Sequence, residues 1–135
     1  MINLELGIMR HNANNPEASQ KLIDWAMSNN INHFESCWFY MDFQCENFLY
    51  SKLTKYDRSK YYICGKMPIH GIVDRMDFKE VYKEQLRRVP GHYFDTYLLQ
   101  AVDARAAYPI CENKMLDFFL SEKKKGNIKR FGISI

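Results

Sequence analysis

The stretch Phe34-Glu35-Ser36-Cys37-Trp38-Phe39-Tyr40 follows a short apolar segment that begins at Ile31 and leads into a charged segment with helical character. It places a carboxylate and a phenol five positions apart, where a β-strand is predicted to end. In parallel α/β folds the loops at the carboxyl ends of the strands converge on one ligand, while the strands hold those loops rigid. We therefore expect this stretch to carry chemistry at one end of a parallel sheet.

Hydrophobic patterns predict five strands separated by helices, and the repeat of about 30 residues has the size of a βαβ unit. The predicted strands run from Leu4 to Arg10, Ile31 to Ser36, Tyr61 to Lys66, Phe94 to Gln100 and Ile128 to Ile135. We expect Gly65-Lys66-Met67-Pro68 to end the third strand, because proline and glycine weaken a strand interior. The alternation predicts a parallel sheet covered by helices.

Four helices are predicted between these strands. The first follows Pro16 and has Leu22, Trp25 and Ala26 at helical spacing, the second carries Cys45, Leu49 and Leu53, the third runs from Asp77 to Val89, and the fourth begins at Lys114 and ends before Gly126. Asp77 and Glu80 have the spacing of a capping box at the start of the third helix. The segment from Ala101 to Asn113, which contains Pro109, is predicted to be a long loop.

Two architectures fit this order of elements: a five-stranded doubly wound sheet, or a part of an eight-fold barrel. Nucleotide-binding doubly wound sheets usually carry a glycine-rich or acidic cluster after the first strand. Here Gly7 is followed by Met9, Arg10, His11 and several asparagines. This difference favours an α/β fold that is a partial (β/α)8 TIM barrel, roughly (βα)4β with parallel strands.

Composition excludes several other classes of protein. A chain of 135 residues, 47% of them hydrophobic, indicates one folded domain. The net charge is only +3 and the one basic run is Lys123-Lys124-Lys125, which does not indicate a nucleic-acid-binding face. Because no apolar run could span a bilayer and no signal peptide is recognisable, we expect a cytoplasmic protein without membrane contact. The four cysteines lack the spacing of metal ligands, so we expect reduced thiols and no metal site.

Parallel strands would gather Glu35, Tyr40, Lys66, Gln100 and Ser134 on one rim of the sheet. Each alone has an ordinary explanation as a core, capping or surface residue. Together they form a coherent acid site, because an ammonium at Lys66 lowers the pKa of a nearby phenol and Glu35 can keep that ammonium charged. Tyr40 could then protonate a substrate oxygen that Gln100 holds by a hydrogen bond. This chemistry suits the reduction of a carbonyl group.

Seven segments carry a resemblance to a known family. They are Leu6-Gly7-Ile8-Met9-Arg10, Phe34 to Tyr40, Cys45 to Leu49, Gly65 to Pro68, Glu84-Gln85-Leu86, Tyr93 to Leu99 and Lys125 to Ser134. In this order and spacing they resemble the N-terminal part of an aldo/keto reductase. The similarity is greatest to the bacterial branch whose longer members carry a ferredoxin-like iron–sulfur segment at the C-terminus.

The resemblance implies a (β/α)8 barrel, an NADP(H) or NAD(H) cofactor, and a catalytic tetrad of Asp, Tyr, Lys and His. Tyr40 matches the proton donor and Lys66 matches the lysine beside it. Glu35 stands where the family has Asp, and Gln100 stands where it has His. The resemblance also implies cofactor contacts at Gly7, Ile8, Met9, Glu35 and Ser134.

A complete barrel of this kind has about 250 residues, so three further strands and most of the cofactor contacts would lie beyond Ile135. We expect residues 1–135 to form a single partial barrel domain, either as a fragment of a longer gene product or as a half-barrel completed in a homo-oligomer. Three functions stay open. They are NAD(P)H-dependent reduction of a small carbonyl substrate, a catalytically inactive truncated barrel that acts as an oligomerising or interaction module, and an independent five-stranded sheet that binds another nucleotide.

Overall fold

The structure is a computed structural model that describes residues 4–11, 14–70, 72 and 76–135. Strands and helices alternate along the chain until two helices follow one another before the last strand. Their bounds are β1 Glu5–Gly7, α1 Pro16–Ser28, β2 His33–Glu35, α2 Cys45–Leu53, β3 Tyr62–Pro68, α3 Phe78–Arg88, β4 Phe94–Gln100, α4 Ala104–Glu112, α5 Met115–Lys124 and β5 Ile128–Ile133. None of the helices in the described ranges has the length and apolar character to cross a membrane.

The order of the strands decides between the two architectures. The five strands form one sheet in the order β1-β2-β3-β4-β5, and every neighbouring pair is parallel. A doubly wound sheet reverses the direction in which strands are added, whereas a barrel adds each strand beside the preceding one. The predicted partial barrel is therefore confirmed.

The two faces of the sheet differ in character because successive side chains of a strand point to opposite faces. Towards the helices the sheet presents fully buried residues such as Phe34, Ile63 and Tyr97. The opposite face carries both polar and apolar side chains, and its open cleft is lined by Leu4, Glu5, His33, Cys64, Thr96, Leu98 and Arg130. The hydrophobic core thus lies between the sheet and the helices, and the open cleft lies on the opposite face of the sheet.

The third strand is longer than predicted. β3 continues through Gly65 and Lys66 to Pro68, so the prediction that this segment ends the strand was wrong. At Gly65 a β-carbon would lie only 2.6 Å from Cε1 of the buried Phe94, so the glycine is needed for close packing. Pro68 is the last residue of the strand, where a missing N–H is tolerated. The extension keeps Lys66 inside a rigid strand.

The prediction of a loop between Ala101 and Asn113 was also wrong, because most of this segment forms α4. Asp103 caps this helix by accepting hydrogen bonds from the backbone N–H groups of Arg105 and Ala106. Ala106 and Ile110, four positions apart, are buried against the core. Capping and burial outweigh the loss of one backbone hydrogen bond at Pro109, which lies inside the helix.

The buried stripe of α1 shares only Ala26 with the predicted one. Ile23 and Ala26 are buried with Ser19, whereas Leu22 and Trp25 are largely exposed. The helix carries two overlapping apolar stripes at helical spacing. The stripe that contains Ile23 packs against the sheet, and the stripe that contains Leu22 faces outward. Of the predicted capping box of α3 only the first half is found: Asp77 accepts a hydrogen bond from the N–H of Lys79, whereas Glu80 pairs with Lys83.

Candidate active site

Three neighbouring strands bring the predicted rim residues together. Glu35 ends β2, Lys66 lies in β3 and Gln100 ends β4, while Tyr40 lies in the turn after β2. Lys66 Nζ is 2.7 Å from Glu35 Oε2, and Gln100 Nε2 donates a hydrogen bond of 2.9 Å to the hydroxyl oxygen of Tyr40. A cation, a carboxylate, an amide and a phenol thus share one edge of the sheet.

The ion pair keeps Lys66 charged although the residue is only 8% exposed. Burial acts to lower the pKa of the Lys66 ammonium, but the hydrogen bond and the negative charge of Glu35 outweigh it, so that the pKa is raised. The longer arm of glutamate, compared with the aspartate of the resemblance, still reaches the ammonium. Lys66 is therefore a fixed positive charge beside the phenol at neutral pH.

Tyr40 keeps its proton in this environment. Burial raises the pKa of its phenol, and the charge of Lys66 and the hydrogen bond from Gln100 oppose this without cancelling it. The expected net lowering of the Tyr40 pKa by Lys66 is therefore not found. Since the phenol oxygen accepts from Gln100, the O–H of Tyr40 remains free to donate.

The amide of Gln100 has a second partner that the sequence reasoning missed. The thiol of Cys37 contacts the side-chain oxygen of Gln100, and the carbonyl oxygen of Lys66 lies 3.9 Å from the Cys37 sulfur. Cys37 is fully buried, and burial raises the pKa of its thiol to about 12. Its place between Glu35 and Tyr40 in the chain is the sequence signal that could have drawn attention to it.

A second, deeper set of polar residues supports the strand that carries Lys66. Gln85 on α3 donates to the carbonyl oxygen of Lys66 over 3.2 Å and to Oε1 of Glu46 on α2, and it accepts from the hydroxyl of Tyr97. All these side chains are buried. Their hydrogen bonds connect β3 to α2 and α3. Sequence patterns did not reveal them, because a glutamine on an apolar stripe carries no signal of its partners.

Glu46 makes the stability of the fold dependent on pH. The pKa of its carboxyl is raised from 4.5 to about 7, because the effect of burial exceeds the lowering by the hydrogen bond from Gln85 and the charge of Arg88. The folded state thus holds a proton that the unfolded chain releases, so the free energy of unfolding falls as the pH rises between these two values. In Glu46→Gln, which keeps an acceptor for Gln85, urea unfolding should show no such decline and a gain of roughly 2–3 kcal/mol at pH 8. A decline that persists in the variant would contradict this assignment.

The residues for which the resemblance implies cofactor contacts differ in their exposure and in their contacts. Gly7 pairs with Glu35 in the sheet, and a β-carbon there would lie 4.0 Å from Glu35 Oε1. The side chain of Ile8 is fully buried, and its backbone N–H donates to the carbonyl oxygen of Glu35. Met9 is 41% exposed, and Ser134 joins the sheet through its backbone at the end of β5. Ser134 contributes a hydroxyl and Glu35 a carboxylate, which are groups that could form hydrogen bonds with a nicotinamide nucleoside.

Solved structures with the same fold are aldo-keto reductases. The thermostable aldo-keto reductase Tm1743, in complex with the inhibitor epalrestat, has 16% identity and a TM-score of 0.71, with 98% of this chain and 49% of that chain covered. An aldo-keto reductase from Klebsiella pneumoniae in complex with NADPH has 16% identity and a TM-score of 0.70, with 98% and 44% covered. The holo form of AKR11C1 from Bacillus halodurans has 19% identity and a TM-score of 0.68, with 99% and 43% covered.

At these identities the similarities show the fold, and this chain spans about half the length of the solved proteins or less. No curated protein matches the sequence. The sequence model of the aldo/keto reductase family matches residues 3–135, which is nearly the whole chain. The strand order and this match agree, and the chain belongs to the aldo/keto reductase family.

Proposed function

We propose that this chain reduces the carbonyl group of a small molecule with NAD(P)H, and that Tyr40 is the proton donor. The observation that carries the proposal is the arrangement of Tyr40, Gln100 and the Lys66–Glu35 ion pair at one rim. Membership of the family implies an oxidoreductase, and the Klebsiella pneumoniae relative solved with NADPH supports a nicotinamide cofactor.

The chemistry needs one proton and one hydride for each carbonyl group. Tyr40 transfers its phenolic proton to the substrate oxygen, and the phenolate left behind is stabilised by the positive charge of Lys66. The amide nitrogen of Gln100 has two N–H donors, so that one can bond Tyr40 and the other the substrate oxygen. The hydride for the carbonyl carbon would come from NAD(P)H when it is bound. The product is an alcohol, and solvent restores the proton of Tyr40.

Glu35 has two tasks in this proposal. Its Oε2 holds the ammonium of Lys66, which places the positive charge close to the phenol. Its other oxygen faces Gly7, whose missing side chain leaves room next to the carboxylate. Gly7, Met9, Glu35 and Ser134 would contact the nicotinamide nucleoside, and Ile8 would support them from the core.

Binding of the cofactor can be tested on the chain itself. Titration with NADPH should change the nicotinamide fluorescence and reach half-saturation between about 1 μM and 1 mM. The Tyr40→Phe variant should bind with unchanged affinity, because the phenol acts on the substrate oxygen rather than on the cofactor. Nicotinamide fluorescence that stays unchanged up to about 1 mM NADPH would refute the proposal for this chain.

A further inference from the structure

We propose that Gln85 is a positioning residue that sets the place of Lys66 relative to Tyr40 through the backbone of each. The proposal rests on the proposed function, in which the positive charge of Lys66 stabilises the phenolate of Tyr40. The side chain of Gln85 is fully buried on α3, and its amide bonds the backbone of Lys66 rather than the ammonium.

The carbonyl group of Lys66 lies just beyond the end of the neighbouring strand. In a parallel pair every second residue of a strand bonds the same neighbour, and on the β2 side of β3 the carbonyl oxygen of Cys64 accepts from the N–H of Ser36. The next carbonyl on that side belongs to Lys66, but β2 ends at Glu35. Gln85 Nε2 donates to this carbonyl oxygen over 3.2 Å. Gln85 therefore replaces the missing strand at the residue that carries the ammonium.

The orientation of the Gln85 amide is fixed by its partners. The backbone oxygen of Lys66 can only accept a hydrogen bond, so the NH2 end of the amide must face it. The same nitrogen donates to Oε1 of Glu46, and the oxygen end accepts from the hydroxyl of Tyr97, which is fully buried on β4. A half-turn of the amide would place oxygen against oxygen at Lys66.

Glu46 connects the amide to the turn that carries Tyr40. It lies in the first turn of α2, and the N–H of Cys45, the first residue of that helix, donates to the carbonyl oxygen of Tyr40 over 3.2 Å. Gln85 is thus a bridge between Lys66 in β3 and the helix that begins after Tyr40. Because its side chain is buried, the bridge holds the ammonium at a set distance from the phenol.

Gln85→Met removes the amide and keeps a side chain of similar length. The carbonyl of Lys66 then lacks its amide donor, and we expect Lys66 and Tyr40 to move apart. Since the charge of Lys66 lowers the pKa of Tyr40 against the effect of burial, this pKa should rise by about one pH unit. It is measured by NMR of ring-labelled tyrosine, with Tyr40→Phe to assign the signal. Val81→Ala, which loses buried packing on the same helix, should leave the Tyr40 pKa unchanged.

A second pair of variants cuts the bridge at its other end. Glu46→Leu removes the acceptor for Gln85, whereas Glu46→Gln retains one, and both remove the titrating carboxyl. The Tyr40 pKa should rise in Glu46→Leu and stay at the wild-type value in Glu46→Gln. This pair decides the matter if Gln85→Met does not fold. The charged and polar groups that face the phenol are the same in all these variants: Glu35, Cys37, Lys66 and Gln100.

Carbonyl reduction should fall about tenfold in Gln85→Met and in Glu46→Leu at unchanged half-saturation by NADPH, and Glu46→Gln should recover it. An unchanged Tyr40 pKa in folded Gln85→Met, or equal values in the two Glu46 variants, would overturn the proposal. A shift of the same size in Val81→Ala would also overturn it. If the wild type reduces no carbonyl compound, the proposed function fails, and the Tyr40 pKa still shows whether the bridge positions Lys66.

Discussion

Replacing Tyr40 with phenylalanine should lower the rate of carbonyl reduction about 10²–10⁴-fold, the usual contribution of a positioned general acid. The variant loses only the hydroxyl that accepts from Gln100 and that we propose donates to the substrate oxygen. The ring remains, so the packing around the turn after β2 is kept. The rate is measured as NADPH oxidation with an aldehyde substrate, and the effect should appear in the chemical step rather than in cofactor binding.

The matched control is Tyr108→Phe on α4. Tyr108 is 72% exposed on α4, so this variant should keep the wild-type rate. Equal rates in Tyr40→Phe and the wild type would remove Tyr40 from the chemistry. Absence of turnover in the wild type would favour the alternative of an inactive partial barrel that serves as an interaction module.

Asp95→Ala should lower the free energy of unfolding by about 3 kcal/mol, the largest loss of stability expected from a single polar change in this fold. Asp95 is only 2% exposed. Its carboxylate accepts from Arg58 Nη2 at 2.6 Å, from Lys129 Nζ at 2.9 Å and from the backbone N–H of Ile63 at 3.0 Å. Its removal leaves a buried N–H of β3 and the guanidinium of Arg58 without this acceptor.

The same carboxylate predicts sensitivity to acid. Burial acts to raise the pKa of Asp95, but the hydrogen bonds from Lys129, Arg58 and Ile63 together lower it below the ordinary value of 3.8. The unfolded chain therefore binds the proton more readily, and the stabilisation is lost as the pH falls below that value. Urea unfolding followed by circular dichroism measures both effects. The exposed Asp117→Ala should cost less than about 1 kcal/mol, and an equal loss in both variants would contradict the buried role of Asp95.

The sequence predicted the elements of this fold better than their arrangement. Periodicity located all five strands, but the choice between a doubly wound sheet and a barrel depends on which strands pair, and that is a long-range property. Helix α4 was not predicted, because Pro109 indicated a loop although the sequence also carries a capping residue and a helical spacing of apolar residues. Asp103 stands at a capping position before Ala106 and Ile110, which have helical spacing.

The rim of the site was predictable because parallel strands place their carboxyl ends together. The placement of Glu35, Lys66 and Gln100 at one rim followed from the strand assignment alone. The supporting residues were not predictable in this way, since Cys37 and Gln100 are 63 positions apart and Glu46 and Gln85 are 39 apart. Contacts of this kind depend on the three-dimensional packing of helices on the sheet. The net pKa of Tyr40 also required the structure, because burial decides its direction.

The most direct test of the proposed function is to trace the hydride from NADPH to the product. Wild-type protein is incubated with benzaldehyde and NADPH that carries deuterium at both hydride positions of the nicotinamide carbon, and the product is analysed by mass spectrometry. We predict benzyl alcohol with one deuterium on the carbinol carbon for each NADP⁺ formed, and a rate that collapses in Tyr40→Phe. Unlabelled alcohol, or no alcohol at NADPH concentrations up to about 1 mM, would contradict the claim that this rim performs nicotinamide-dependent carbonyl reduction.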